Sequence, residues 1–142
     1  MKSINILLVE DNEGDIVLTK EALEESKILN TVSVVKNGRE ALDFVFKQNG
    51  FENATTPDLI LLDINLPLKN GHEVLKIIKE DDTVKHIPVI MLTTSSTESD
   101  VLFSYKNHAN CFITKPVEVS AFIEAITSLN HFWLNIVTLS KK

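Results

Sequence analysis

Residues 57–67 read Pro57-Asp58-Leu59-Ile60-Leu61-Leu62-Asp63-Ile64-Asn65-Leu66-Pro67. An unbroken apolar run, Leu59 to Leu62, is closed by an aspartate. A run this short suits a strand covered on both faces, as inside a parallel sheet. Similar runs occupy residues 4–9, 32–35, 89–92 and 111–113. The longer segments between them have helical spacing. Ile16, Leu18, Ala22 and Leu23 are expected on one helical face, as are Ala41, Leu42 and Val45, then Val74, Ile77 and Ile78, then Val101, Leu102 and Tyr105. A final segment from about Glu118 carries Phe122, Ile126, Leu129, Trp133 and Val137 at spacings of three and four. Five strands alternating with five helices imply right-handed βαβ units, hence an α/β fold with a parallel sheet and helices on both faces. Pro57 and Pro88 punctuate the strand starts, and Ser95-Ser96-Thr97-Glu98 reads as a capping box. The stretch 48–56, with Gly50, two Asn and two Thr, reads as an exposed loop.

The chain has 142 residues, 44% of them hydrophobic and 24% charged, which suits one globular domain over 1–142. Fourteen Lys and Arg stand against 20 Asp and Glu, a formal charge of −6. That balance argues against nucleic acid and anionic membranes as partners, because phosphate binding needs a basic footprint. The single cysteine, Cys111, excludes an internal disulfide and fits a cytoplasmic setting. The N-terminus does not read as a signal peptide, and no apolar run approaches the length of a membrane span.

In an open parallel sheet, ligands bind at the carboxyl ends of the strands. The residues after each run are therefore the informative ones. They are Glu10, Asp11 and Asn12, then Asp63 and Asn65, then Thr93 and Thr94, then Thr114, Lys115 and Pro116. Each has a plain reading as a cap, a turn or a solvated loop residue. Together they bring three carboxylates to one edge, and like charges so placed repel. Lys115 offsets one charge, and a divalent cation offsets two. Oxygen ligands favour Mg²⁺. A carboxylate beside Mg²⁺ and a lysine can attack phosphorus to give an aspartyl phosphate. Lys115 and the metal would then stabilise charge on the phosphoryl oxygens, with Thr93 donating its hydroxyl.

These motifs resemble the receiver domains of two-component response regulators. The matching pieces are Ile6-Leu7-Leu8-Val9-Glu10-Asp11-Asn12, the 57–67 stretch, Gly71, Ile87-Pro88-Val89-Ile90-Met91-Leu92-Thr93-Thr94, and Lys115-Pro116, over about residues 4–130. The resemblance implies a flavodoxin-like receiver fold with strand order 2-1-3-4-5. It makes Asp63 the phosphoacceptor. Glu10, Asp11 and the Asn65 carbonyl become Mg²⁺ ligands alongside Asp63. Thr93 is the switch hydroxyl, Phe112 the aromatic switch position, and Lys115 the phosphoryl-binding cation before a cis-proline, Pro116. A histidine kinase or phosphotransfer protein is the implied partner, with no catalysis beyond the domain's own phosphotransfer and dephosphorylation. A narrower resemblance, carried by Glu10-Asp11-Asn12-Glu13-Gly14-Asp15, residues 110–117 and Phe132-Trp133, is to the small stand-alone receivers that partner phytochrome-type kinases. Output is expected through protein contact or phosphorelay.

Other functions fit less well. A flavodoxin-like electron carrier needs hydroxyl and backbone donors in the first loop, where Glu10 and Asp11 stand. A phosphohydrolase built on Asp63 would want a second acid at the position of Asn65. A receiver acting only by constitutive binding would have no need to retain Asp63, Thr93 and Lys115.

The extended C-terminal helix and tail, about 118–142, is too apolar for a helix with one buried face. Val119, Ile123, Phe132, Leu134, Ile136 and Val137 are left over after the core stripe is satisfied. A contiguous apolar patch on a small protein marks an interface, unless the chain's end folds back to cover its own sheet. The expectation is a homodimer through the fourth helix, the fifth strand and the fifth helix, with Phe132 and Trp133 near its two-fold axis. Sedimentation velocity should show a dimer for the full chain and a monomer, or a much weaker dimer, for a chain truncated after Leu129. A full-length monomer, with and without beryllofluoride, removes this expectation.

Overall fold

The computed structural model describes residues 3–94, 108–109 and 111–129. The strands are β1 (Ile4–Val9), β2 (Asn30–Val35), β3 (Leu59–Asp63), β4 (Val89–Thr93) and β5 (Cys111–Thr114). They form one parallel sheet in the order β2-β1-β3-β4-β5. The helices among the described residues are α1 (Glu13–Glu25), α2 (Gly38–Val45), α3 (Gly71–Glu80) and α4 (Val119–Ser128). The helix expected over Val101, Leu102 and Tyr105, its capping box at 95–98, and the tail with Phe132 and Trp133 lie outside the described residues.

Strand alternation sorts the core into two layers. Ile4, Ile6, Leu8, Leu59, Leu61, Ile90, Leu92 and Ile113 face α1 and α4, where they meet Ile16, Ala22, Leu23, Phe122 and Ile126. Leu7, Val9, Ile60, Leu62, Val89 and Met91 face α2 and α3, where they meet Ala41, Leu42, Val45, Val74, Leu75 and Ile78. The central strands β3 and β4 are buried at every position. The edges differ from expectation. β2 is mostly half-buried, and β5 is half-buried at Cys111 and Phe112, each strand having a paired neighbour on one side only among the described residues.

Two helical faces also shift by a residue. Leu18 is 48% exposed, and Thr19 takes its place at 1%. Positions 16, 19, 22 and 23 hold the inward stripe of a 3.6-residue period, whereas 18 points away. On α3, Leu75 is buried and Ile77 is 36% exposed, for the same reason. The 48–56 loop is not wholly exposed either. Phe51 tucks in against Phe44, their rings 5.5 Å apart. Aromatic area is costly to leave in water, and this contact anchors the loop.

Three asparagines start the helices that follow β1, β2 and β3. The side chains of Asn12, Asn37 and Asn70 accept from the backbone N–H of Asp15, Glu40 and Glu73. Each satisfies an otherwise unpaired donor of the first turn. Asn70 and Glu73 complete a reciprocal capping box. The loop after β3 closes tightly, since Gly71 donates its N–H to the Ile64 carbonyl at 2.8 Å. A Cβ on Gly71 would lie 2.3 Å from the Asp63 carbonyl oxygen, and one on Gly38 would lie 1.9 Å from that of Lys69. Both glycines are present because backbone passes where a methyl would stand.

Gly71→Ala should therefore destabilise the fold by about 2 kcal/mol or more, as overpacking against backbone does. Gly14→Ala, whose Cβ would meet only the Asn12 side chain at 3.2 Å, should stay within about 1 kcal/mol of the parent. Urea unfolding of both variants checks the contrast.

Candidate functional site

All the residues singled out at strand ends arrive at the carboxyl edge of the sheet. Glu10 follows β1, and its N–H continues the ladder to the Val35 carbonyl at 3.0 Å. Asp63 ends β3 opposite Leu92, so Thr93 stands one step beyond it on β4. Lys115 follows β5, and its N–H donates to the Thr93 carbonyl at 2.7 Å. The Lys115–Pro116 peptide is cis. Regular pairing thus fixes the backbone under each functional side chain.

Glu10, Asp11 and Asp63 each offer a carboxylate oxygen, and these oxygens lie within 4.8 Å of one another. Glu10 and Asp63 are buried, at 0% and 2% exposure, and Asp11 is exposed. Thr93 is buried at 1%. Asn65 is exposed, and its N–H donates to Asp63 Oδ1 at 3.3 Å. Phe112 lies half-buried against the layer of Met91 and Val89. Phe132 and Trp133 lie outside the described residues.

Among the described residues, one cation reaches into this acidic edge. Lys115 Nζ is 3.0 Å from Glu10 Oε1, 3.3 Å from Asp63 Oδ2 and 2.9 Å from Asp15 Oδ2. Asp15 was not anticipated as part of the site. In the sequence it is one of several acids along α1 and looks like part of a solvated face. Its signal was its position, directly before Ile16, the first residue of the buried stripe, and in the first turn after Glu10 and Asp11.

The charges leave their mark on acidity. Burial, then the neighbouring Asp63 carboxyl, push Glu10 from 4.5 up to about 7, while Lys115 pulls it back. Burial opposes the Lys115 ammonium, but hydrogen bonds to Asp15 and Glu10, and the charges of Asp63 and Glu10, outweigh it and hold Lys115 above the ordinary lysine range. One ammonium against four carboxylates is an incomplete balance. The three clustered carboxylates, all hard oxygen donors, fit a small divalent cation such as Mg²⁺.

Residues 6–127 match the response regulator receiver domain family. The chain belongs to that family. The receiver is 43% identical over 134 residues to the response regulator Rcp1 of Synechocystis sp., spanning 94% of this chain and 91% of Rcp1. It is similar to the solved Mn²⁺-bound form of response regulator Rcp1, with 42% identity, a TM-score of 0.77, and coverage of 92% of this chain and 94% of that one. It is also similar to the phosphorylated cyanobacterial phytochrome response regulator RcpA, with 45% identity, a TM-score of 0.79, and coverage of 94% and 95%. Receivers bind Mg²⁺ or Mn²⁺ through an acidic cluster of the kind formed here by Glu10, Asp11 and Asp63. None of the described helices of this receiver is long and apolar enough to cross a membrane.

The metal-free receiver should show its charge imbalance in its pH dependence. Between pH 4.5 and about 7 the folded state holds a Glu10 proton that the unfolded state has lost. Stability from this group is therefore present at low pH and lost as pH rises through that window. With chelator present, the melting temperature of Glu10→Gln should fall less than that of the parent as pH rises from 4.5 to about 7. Parallel curves for the two proteins would contradict this. Added Mg²⁺ should raise the parent's melting temperature most at the alkaline end.

Proposed function

We propose that this receiver is a phosphorylation-dependent switch. It accepts a phosphoryl group on Asp63 from a histidine kinase or phosphotransfer protein, with Mg²⁺ held by Glu10, Asp11, Asp63 and the Asn65 carbonyl. The observation that carries the reading is the buried Asp63 carboxylate, with Lys115 Nζ at 3.3 Å and two further carboxylates beside it. A purely structural ion pair would not need three acids around one lysine, since buried charge is costly unless matched.

An Asp63 oxygen attacks phosphorus as the bond to the donor's leaving atom breaks, and the donor leaves with that electron pair. Mg²⁺, when bound, supplies positive charge beside the phosphoryl oxygens. Lys115 offers its ammonium to the same oxygens, in a setting of low dielectric where such contacts count for more than in water. The Thr93 hydroxyl donates to a phosphoryl oxygen, and Phe112 turns inward from its half-buried place. The phosphoryl group favours one of two pre-existing arrangements through these contacts, which is a shift of population rather than a push. The changed surface then binds a partner protein or passes the phosphoryl group on, in the cytoplasm. The acidic net charge of −6 suits protein partners better than nucleic acid.

Acetyl phosphate with Mg²⁺ should add one phosphoryl group to the full chain by intact mass. Asp63→Asn should abolish it, and Asp11→Asn should raise the Mg²⁺ needed by at least tenfold, an order typical of a lost metal ligand partner. Equal labelling of Asp63→Asn would overturn the assignment.

A further inference from the structure

Asp15 is the third carboxylate on Lys115, and its place in α1 makes that contact informative. It is the third residue of the helix, the position from which an acid can reach back to the cap. Glu73 does so on α3, where its carboxylate accepts from the Asn70 N–H, and Glu40 on α2 accepts from the Lys36 N–H at 3.2 Å. On α1 the Asn12 N–H is accepted instead by Glu10 Oε2 at 3.3 Å, and Asp15 turns to Lys115. The carboxylate is diverted from its helix to the site.

An ammonium has three donors. Lys115 donates to Asp15 at 2.9 Å and Glu10 at 3.0 Å, and faces Asp63 as an ion pair at 3.3 Å. The donor that faces Asp63 is open to a phosphoryl oxygen, but a second Lys115 donor turns to the phosphoryl group only if Glu10 or Asp15 gives one up. Glu10 is fully buried, with no water to replace the lost cation. The Asp15 side chain is 29% exposed, so water can take over its hydrogen bonds. We propose that Asp15 is a positioning residue that competes with the phosphoryl group for Lys115. It holds the ammonium in the unmodified state and releases it when Asp63 is modified, and so sets how readily the modified state forms. The inference rests on the reading of Asp63 as phosphoacceptor.

A ligand that must displace a competing contact binds more weakly by the strength of that contact. Beryllofluoride is the probe: an Asp63 oxygen bonds to beryllium and displaces a water or fluoride from it, leaving fluorines where phosphoryl oxygens would stand. The full chain is titrated at saturating Mg²⁺ and followed by amide chemical shifts. Asp15→Asn should bind about fivefold more tightly than the parent, the scale of a partly exposed ion pair. Asp15→Glu, which keeps a carboxylate, should bind as the parent does. Glu13→Gln is the control for net charge. Its carboxylate is 70% exposed, pairs with Lys36 and does not reach Lys115, so its gain should be below about twofold. An unchanged or weaker affinity in Asp15→Asn overturns the inference, as does the same gain in Asp15→Glu or Glu13→Gln. A parent that neither binds beryllofluoride nor takes label from acetyl phosphate overturns the phosphoacceptor reading itself.

Discussion

The Lys115 ammonium is the interaction on which the carboxyl edge of the sheet depends. It is the cation that meets Glu10, Asp15 and Asp63 at 2.9 to 3.3 Å. Without it, two buried carboxylates would face each other across a dry edge, and at least one would have to hold a proton. Lys115 does not complete the balance. Glu10 still sits near the middle of the physiological range rather than among ordinary carboxylates. A site poised in this way takes up positive charge from a metal readily.

The fold supplies the geometry at little local cost. Residues 105 positions apart in the chain, Glu10 and Lys115, meet because β1 and β5 run parallel and end at the same level. The intervening strands carry that alignment through successive registers, Leu8 with Leu61, Leu61 with Ile90, Ile90 with Cys111. Every residue of β3 and β4 is buried, so a slip by one position would turn a whole apolar face to the other layer. The hydrophobic core therefore sets the height at which each charged side chain emerges. The close approach at Gly71 ties the backbone carbonyl of Asp63 to the start of α3 in the same way.

Much of this was legible in the sequence, and the parts that were not share a cause. Glu10, Asp11, Asp63, Thr93 and Lys115 each follow an apolar run directly, so their placement needs only the rule that parallel strands end together. Strand order came with the resemblance, since composition alone does not say which strands lie at the edges. For the same reason β2 and Cys111 read as more buried than they are. Asp15 was hidden because its role depends on a contact across the sheet edge, and its local signal is that of any acid in a first turn. Leu18 and Thr19 were exchanged because hydrophobicity was weighed before phase. On a helix the phase set by Ile16, Ala22 and Leu23 decides, and it places a threonine inward. Phe51 shows the complementary case, a loop composition that speaks for exposure around one aromatic residue that does not follow it.

Exposure divides the site into a fixed side and an open side. Glu10, Asp63 and Thr93 are buried, and their backbones are held by the sheet ladder. Asp11 and Asn65 are exposed, each just past the end of its strand. In the proposed reading, a phosphodonor approaches Asp63 past Asp11 and Asn65, the exposed members of the site among the described residues. The groups that hold charge in place are thus dry and ordered before any partner arrives, while those nearest the approach path remain hydrated. Preorganisation of this kind places the reorganisation cost in folding rather than in the proposed transfer step. It also leaves one soft contact on the buried lysine, the partly exposed Asp15, through which events at the open side can reach the dry one.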